Sequence, residues 1–122
     1  MPVRLLALRG ATTCDEDTKV EIGEKTRALV AAMLERNAIA HEDLVSIIFT
    51  ATDDLVAEFP ATAARALGLG DVPLICAREL AIEHGLPRTI RVMMHFYGEG
   101  PRDRLRHVYL EGARVLRDDL PE

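Results

Sequence analysis

The pattern of apolar and polar positions divides the chain into alternating strand and helix segments. Residues 3–9 form an aliphatic run ending at Gly10, which predicts a buried strand. Residues 12–17 are polar and read as a loop. Thr18-Lys19-Val20-Glu21 has the form of a capping box, in which the Thr18 hydroxyl and the Glu21 carboxylate satisfy free amides at a helix start. A helix is predicted from there to about Arg36. Ile22, Leu29 and Met33, flanked by Ala28, Ala32 and Leu34, give it one apolar face, and Asn37 is the expected stop. Residues 43–50 contain Leu-Val-Ser-Ile-Ile-Phe and predict a second strand, broken by Thr52-Asp53-Asp54. Phe59-Pro60 opens a short helix to Leu67, because proline fits the first turn, and Gly68 and Gly70 end it.

Residues 72–77 predict a third strand, Gly85-Leu86-Pro87 a turn, and residues 89–97 the longest strand. A helical turn at 101–104 and a strand over 107–110 complete the ordered part, with 118–122 read as a frayed tail. The fold class is therefore α+β: about five mixed strands, one long helix and one short one, in a single domain over 1–122. In the strand over 89–97, Ile90, Val92, Met94 and Phe96 face one side. Thr89, Arg91, Met93, His95 and Tyr97 face the other. That second face is amphipathic, which fits an oligomer contact or a ligand pocket.

Composition narrows the function. The net charge of −5 argues against a general nucleic-acid binder. Residues 88–117 nonetheless hold seven arginines against three acids, a local +4, and arginine supplies 13 of the 15 basic residues. Arginine suits bidentate recognition of carboxylate or phosphate, so a small anionic ligand is one reading; an arginine-rich genome bias is the other. No apolar stretch approaches the roughly 18 residues of a membrane span. Without an export signal, a cytoplasmic location is expected, with Cys14 and Cys76 both reduced.

The candidate chemistry is sparse. There is no glycine-rich phosphate loop, nucleophile elbow or metal-binding histidine pair, so no metal or cofactor is expected. His41, His84, His95 and His107 share no spacing and read as structural. Asp53-Asp54 reads as turn chemistry rather than a metal site. Four positions stand out: Arg9 at a strand end, Glu79 just after a strand, Arg91 inside a strand and Tyr109 in the last strand. A guanidinium inside a sheet must be paired or face outward. Taken singly, each of the four also fits an ordinary structural role, as does Cys76 as a small buried apolar residue.

Taken together, the segments carry more. Leu8-Arg9-Gly10-Ala11-Thr12-Thr13, Ala51-Thr52-Asp53-Asp54-Leu55, Phe59-Pro60-Ala61, Val72-Pro73 followed by Cys76 and Glu79, Ile90-Arg91-Val92-Met93-Met94, and Arg106-His107-Val108-Tyr109-Leu110-Glu111 with Val115-Leu116-Arg117 occur in that order. The set resembles the monofunctional chorismate mutases of the trimeric, barrel-like bacterial class, from about residue 3 to residue 120. The resemblance implies the Claisen rearrangement of chorismate to prephenate, a step toward phenylalanine and tyrosine. It also implies a homotrimeric pseudo-α/β-barrel, with sheets inside, helices outside and active sites in the subunit clefts.

By the same resemblance, Arg91 reaches the ether oxygen and one carboxylate, and Arg9 holds a carboxylate. Glu79 and Cys76 meet the side of the ring hydroxyl, and Tyr109 hydrogen-bonds a carboxylate. Phe59 and Arg65 come from the neighbouring subunit, and Arg117 is a tail arginine near the pocket mouth. The chemistry agrees: the substrate is a dianion, and the rearrangement needs no nucleophile, metal or cofactor. Three positions depart from the family pattern. Thr62 stands where a basic residue is frequent, Ile75 where threonine is frequent, and Asp118 where the tail arginine is commonly followed by proline. Cys76 and Glu79 also have opposite parity on a regular strand. Two other readings are a chorismate-binding sensor without turnover and an imine- or enamine-hydrolysing enzyme on a related trimeric fold. Turnover separates the first, and the full set of Arg9, Glu79, Arg91 and Tyr109 argues against the second.

Overall fold

A computed structural model describes residues 2–116. Five strands form one sheet: β1 (Arg4–Thr13), β2 (Leu44–Ala51), β3 (Leu74–Arg78), β4 (Thr89–Gly98) and β5 (Val108–Tyr109), in the order β3-β2-β4-β1-β5. The central pairs β1–β4 and β2–β4 are antiparallel, and the outer pairs β2–β3 and β1–β5 are parallel. Two helices, α1 (Lys19–Arg36) and α2 (Ala61–Ala66), join these strands. Parallel neighbours cannot be linked by a hairpin, so α2 crosses over between β2 and β3. Among the described residues no helix is long and apolar enough to cross a membrane.

The predicted elements are present, with shifts at their ends. β1 runs through Thr13, four residues past Arg9, because Ala11 and Thr12 pair with Arg91 and Ile90 on β4. Cross-strand pairing overrides the polar sequence that suggested a loop. β3 starts at Leu74 rather than residue 72, since Pro73 has no N–H for the ladder. A final 3₁₀ segment, Glu111–Leu116, was not expected and packs against β1 and β5. The frayed tail and Arg117 lie outside the described residues.

Thr18 caps α1 as expected: its hydroxyl accepts the Glu21 N–H at 3.1 Å. The Glu21 carboxylate, however, accepts from the Asp15 N–H, tying the helix to the preceding loop rather than closing on Thr18. Thr18→Ala should cost about 1 kcal/mol of stability, measured by chemical denaturation; no loss would mean that the Glu21–Asp15 bond alone holds the helix start. Asn37 stops the helix through its side chain. Its Nδ2 donates to the Met33 and Arg106 carbonyls, its Oδ1 accepts from the Arg106 N–H, and the left-handed residue is Ala38 at φ 50°.

One sheet face is buried beneath α1 and α2. Leu8, Ile47, Phe49, Ile90 and Met94 are wholly inaccessible there, with Leu29, Val30 and Met33 from α1. Gly10 permits this close approach, because a Cβ there would lie 2.5 Å from Met33 Sδ. The opposite face carries Leu5, Ala7, Arg9, Ile48, Thr50, Ile75, Arg91, Met93, His95 and Tyr97, as the register requires. Among the described residues neither α1 nor α2 covers it, the 3₁₀ segment Glu111–Leu116 packs only on its Ala11–Tyr109 end, and Leu5, Ile75 and Tyr97 are more than half exposed. Thr89, expected on this open face, is instead buried. Its N–H donates to the Thr52 hydroxyl and its own hydroxyl to the Leu86 and Pro87 carbonyls.

Candidate active site

The open face holds the first cluster. Arg91 lies opposite Ala11 on β1 and Thr50 on β2, in the middle of the sheet. Its Nε forms an ion pair with Glu79 Oε2. Glu79 follows the last residue of β3, and its N–H donates to the Ala51 carbonyl at 3.0 Å, which continues the β2–β3 ladder by one residue. A guanidinium has five N–H donors, so an Nε contact to Glu79 leaves the four Nη donors for a ligand. Arg9, Arg91, Glu79 and Tyr109 line one cavity of about 250 Å³, floored by Gly10, Ile48, Thr50, Val92 and Met93. Tyr109 is buried, and its register partner on β1 is Ala11.

The supports of this cluster were not legible in the sequence. His107 Nδ1 accepts the Arg9 backbone N–H at 3.0 Å, which ties the middle of β1 to the residue preceding β5. Asp54 accepts the Arg88 N–H with both carboxylate oxygens, at 3.1 and 3.0 Å, and so holds Arg88 at a left-handed φ of 46°. This sets the start of β4 at Thr89, two residues before Arg91. Burial pushes the Asp54 carboxyl upward, but hydrogen bonds from the Thr52 hydroxyl and the Arg88 backbone outweigh it and hold the group below the usual carboxylate range. Its stabilising contribution is therefore present at neutral pH and lost as pH falls through that lowered value. Turn chemistry was the expected role of Asp53-Asp54, and this clamp supplies it.

A second cluster lies on the helical side. Phe59 and Cys76 line a cavity of about 460 Å³, with Lys19, Leu55, Glu58 and Arg78 among its other walls. Cys76 pairs with Phe49, on the buried face, so it points away from Glu79 as its parity requires. Arg78 Nη1 donates to the Thr52 and Leu55 carbonyls at 2.7 and 3.1 Å, holding the turn after β2 against the end of β3. Arg65 is exposed on the last turn of α2 and lines neither cavity. Within one chain, then, the expected site residues fall into two groups on opposite faces. Arg9, Glu79, Arg91 and Tyr109 form one, while Phe59 and Cys76 form the other, with Arg65 apart.

Other chemistry is poorly supplied. Among the described residues no cluster of three or more histidine, cysteine or acidic side chains could hold a metal. Burial, followed by the nearby Glu21 carboxylate, pushes the Cys14 thiol up to about 11, so it stays protonated and weakly nucleophilic at neutral pH. Arg91 and Glu79 thus offer fixed charge and hydrogen bonds rather than a covalent or metal centre.

The sequence pattern matches the chorismate mutase type I family over residues 5–120. The chain belongs to that family. It is 49% identical to the chorismate mutase AroH of Thermus thermophilus over 114 residues, covering 93% of each protein. It is 46% identical to the chorismate mutase AroH of Bacillus subtilis, over 93% of this chain and 90% of that protein. The fold superposes on a chorismate mutase from Clostridium thermocellum with a TM-score of 0.88 and 44% identity, covering 89% of this chain and 97% of that one. The fold class and the family read from the ordered motifs therefore stand.

Proposed function

We propose that this chorismate mutase rearranges chorismate to prephenate in a site completed between subunits of a homotrimer. Three observations favour a shared site. The Arg91 cavity falls below the roughly 300–1,000 Å³ of a complete small-molecule pocket. Its ionised side chains, Arg9, Arg91 and Glu79, sum to +1, short of a dianion's −2. Phe59, 68% exposed beside its own cavity, and the exposed Leu5, Ile75 and Tyr97 of the open sheet face have no covering surface among the described residues. Joining the Arg91 cavity of one subunit to the Phe59–Cys76 cavity and Arg65 of the next meets all three. Arg117 adds a further cation near the mouth in this reading.

The observation that carries the mechanism is the Arg91–Glu79 pair at the cavity wall. As the C–O bond of the substrate breaks, negative charge grows on the ether oxygen. An Arg91 guanidinium already oriented by Glu79 binds that charge better in the transition state than in the ground state. Arg9 and Tyr109 hold a carboxylate, and Glu79 with the partner's thiol meets the ring hydroxyl. Together these contacts select the compact diaxial, chair-like conformer, so part of the entropic barrier is met on binding. A 10⁶-fold acceleration, the low end for enzymes, requires about 8 kcal/mol. One oriented donor supplies about 2.7–4 kcal/mol of it, leaving the remainder to conformational restraint. The reaction is intramolecular and moves no proton, so no cofactor is called for. The cytosol, where both thiols stay reduced, is the proposed location.

Mixing tests the shared site. Arg91→Ala and Arg65→Ala chains, each strongly impaired alone, are unfolded together and refolded at equal ratio. Random assembly around a threefold axis gives about a quarter of the sites two intact halves, so about a quarter of wild-type turnover should return. Sedimentation should give a trimer. No recovery from correctly assembled mixed oligomers would contradict a site built from two chains.

A further inference from the structure

We infer that Lys19 supplies a substrate-binding cation to the Phe59–Cys76 half of the site. This rests on the shared-site reading above. Lys19 is the first residue of α1, directly after the Thr18 cap, and is exposed. A cation there opposes the helix dipole, which favours negative charge at the N-terminus, so helix stability does not explain the residue. Lys19 also makes no ion pair among the described residues, although acids surround it in the sequence. It does line the cavity that holds Phe59 and Cys76.

The other charges of that cavity are committed. Arg78 is spent on the Thr52 and Leu55 carbonyls and lies 3.6 Å from Asp53. Glu58 Oε1 accepts the Phe59 N–H at 2.9 Å and sits 3.5 Å from the Thr62 hydroxyl. Thr62, beside Glu58 on α2, is exposed and uncharged and supplies no cation there. Lys19 brings an uncommitted positive charge to the cavity from the α1 side. A flexible, hydrated ammonium acts on a carboxylate as a point charge, equally in ground and transition states. It therefore contributes uniform binding, which appears in KM and not in kcat.

The test is Lys19→Met, with Lys19→Arg as the charge-retaining variant. An exposed ion pair of ordinary strength predicts a rise in KM for chorismate of about two- to five-fold in Lys19→Met, with kcat unchanged. Its melting temperature should match or exceed the wild type, since the unfavourable helix-end charge is gone. Lys19→Arg should retain the wild-type KM. An unchanged KM in Lys19→Met, or a raised KM accompanied by a lower melting temperature, would overturn the assignment. Mixed oligomers of Lys19→Met and Arg91→Ala fix the direction of the contribution. Every active Arg91 cavity then belongs to a Lys19→Met chain, so a return toward wild-type KM requires Lys19 from the neighbour. If KM stays raised in that mixture, the proposed half-site is wrong. The Arg91→Ala and Arg65→Ala mixture does not involve Lys19, so its failure indicts the shared site itself.

Discussion

Arg91→Ala should lower kcat by at least about 10²-fold while the protein stays folded and assembled, because in the proposed mechanism it removes the charge-assisted donors aimed at the breaking bond. Arg91 sits mid-strand on the open face and is not part of the packed core, so its loss opens no apolar cavity. Glu79 would be left as an unpaired carboxylate at a cavity built for an anion, adding repulsion to the loss. Arg91→Lys should also be strongly impaired. A lysine offers one ammonium centre and cannot contact Glu79 and substrate from separate nitrogens of a planar group. The check is steady-state kinetics with circular dichroism and sedimentation on the same preparations. A kcat within a few-fold of wild type would remove Arg91 from the chemistry.

Phe49→Ala should do the reverse, costing about 3–5 kcal/mol of stability while leaving the chemical step largely intact. Phe49 is wholly inaccessible at the centre of the helical face, paired with Val92 on β4 and Cys76 on β3. Its neighbours in sequence, Ile48 and Thr50, turn the other way and floor the Arg91 cavity. Truncation leaves a void behind the floor without removing a ligand contact. Against a typical total of about 5–15 kcal/mol, such a loss is large, so kcat is best compared well below the variant's unfolding temperature. Denaturation of both proteins at one matched concentration gives the difference, since assembly adds concentration-dependent stability. A cost under about 1 kcal/mol would contradict the packing described for this face.

Much of the fold was legible because it is written in local periodicity. The α1 boundaries follow from the Thr18 cap and Asn37, and the β4 boundaries from its alternation. What escaped depends on contacts distant in sequence. Thr12 and Thr13 read as loop residues until β4 pairs with them. The left-handed Arg88 is not a residue that advertises such a backbone; it is held by Asp54, 34 positions earlier. The short final 3₁₀ segment has little periodicity of its own and packs on strands already in place.

The candidate residues were legible as a set but not as a place. Residue order and type suggested Arg9, Glu79, Arg91 and Tyr109, and the sheet register brings these four together. Strand parity foretold that Cys76 and Glu79 diverge, and they do. Nothing local marks His107 as the anchor of the Arg9 backbone, since a histidine bonded to a main-chain amide resembles any other in sequence.

The most direct measurement is the loss of chorismate absorbance with the purified protein, without added metal or cofactor, and NMR identification of the product. The account predicts stoichiometric prephenate from the wild type and at least about a 10²-fold slower appearance with Arg91→Ala. Tight chorismate binding by calorimetry without turnover would make the protein a sensor and contradict the proposed activity. Equal turnover by the two proteins would leave the activity standing and refute the central role of Arg91.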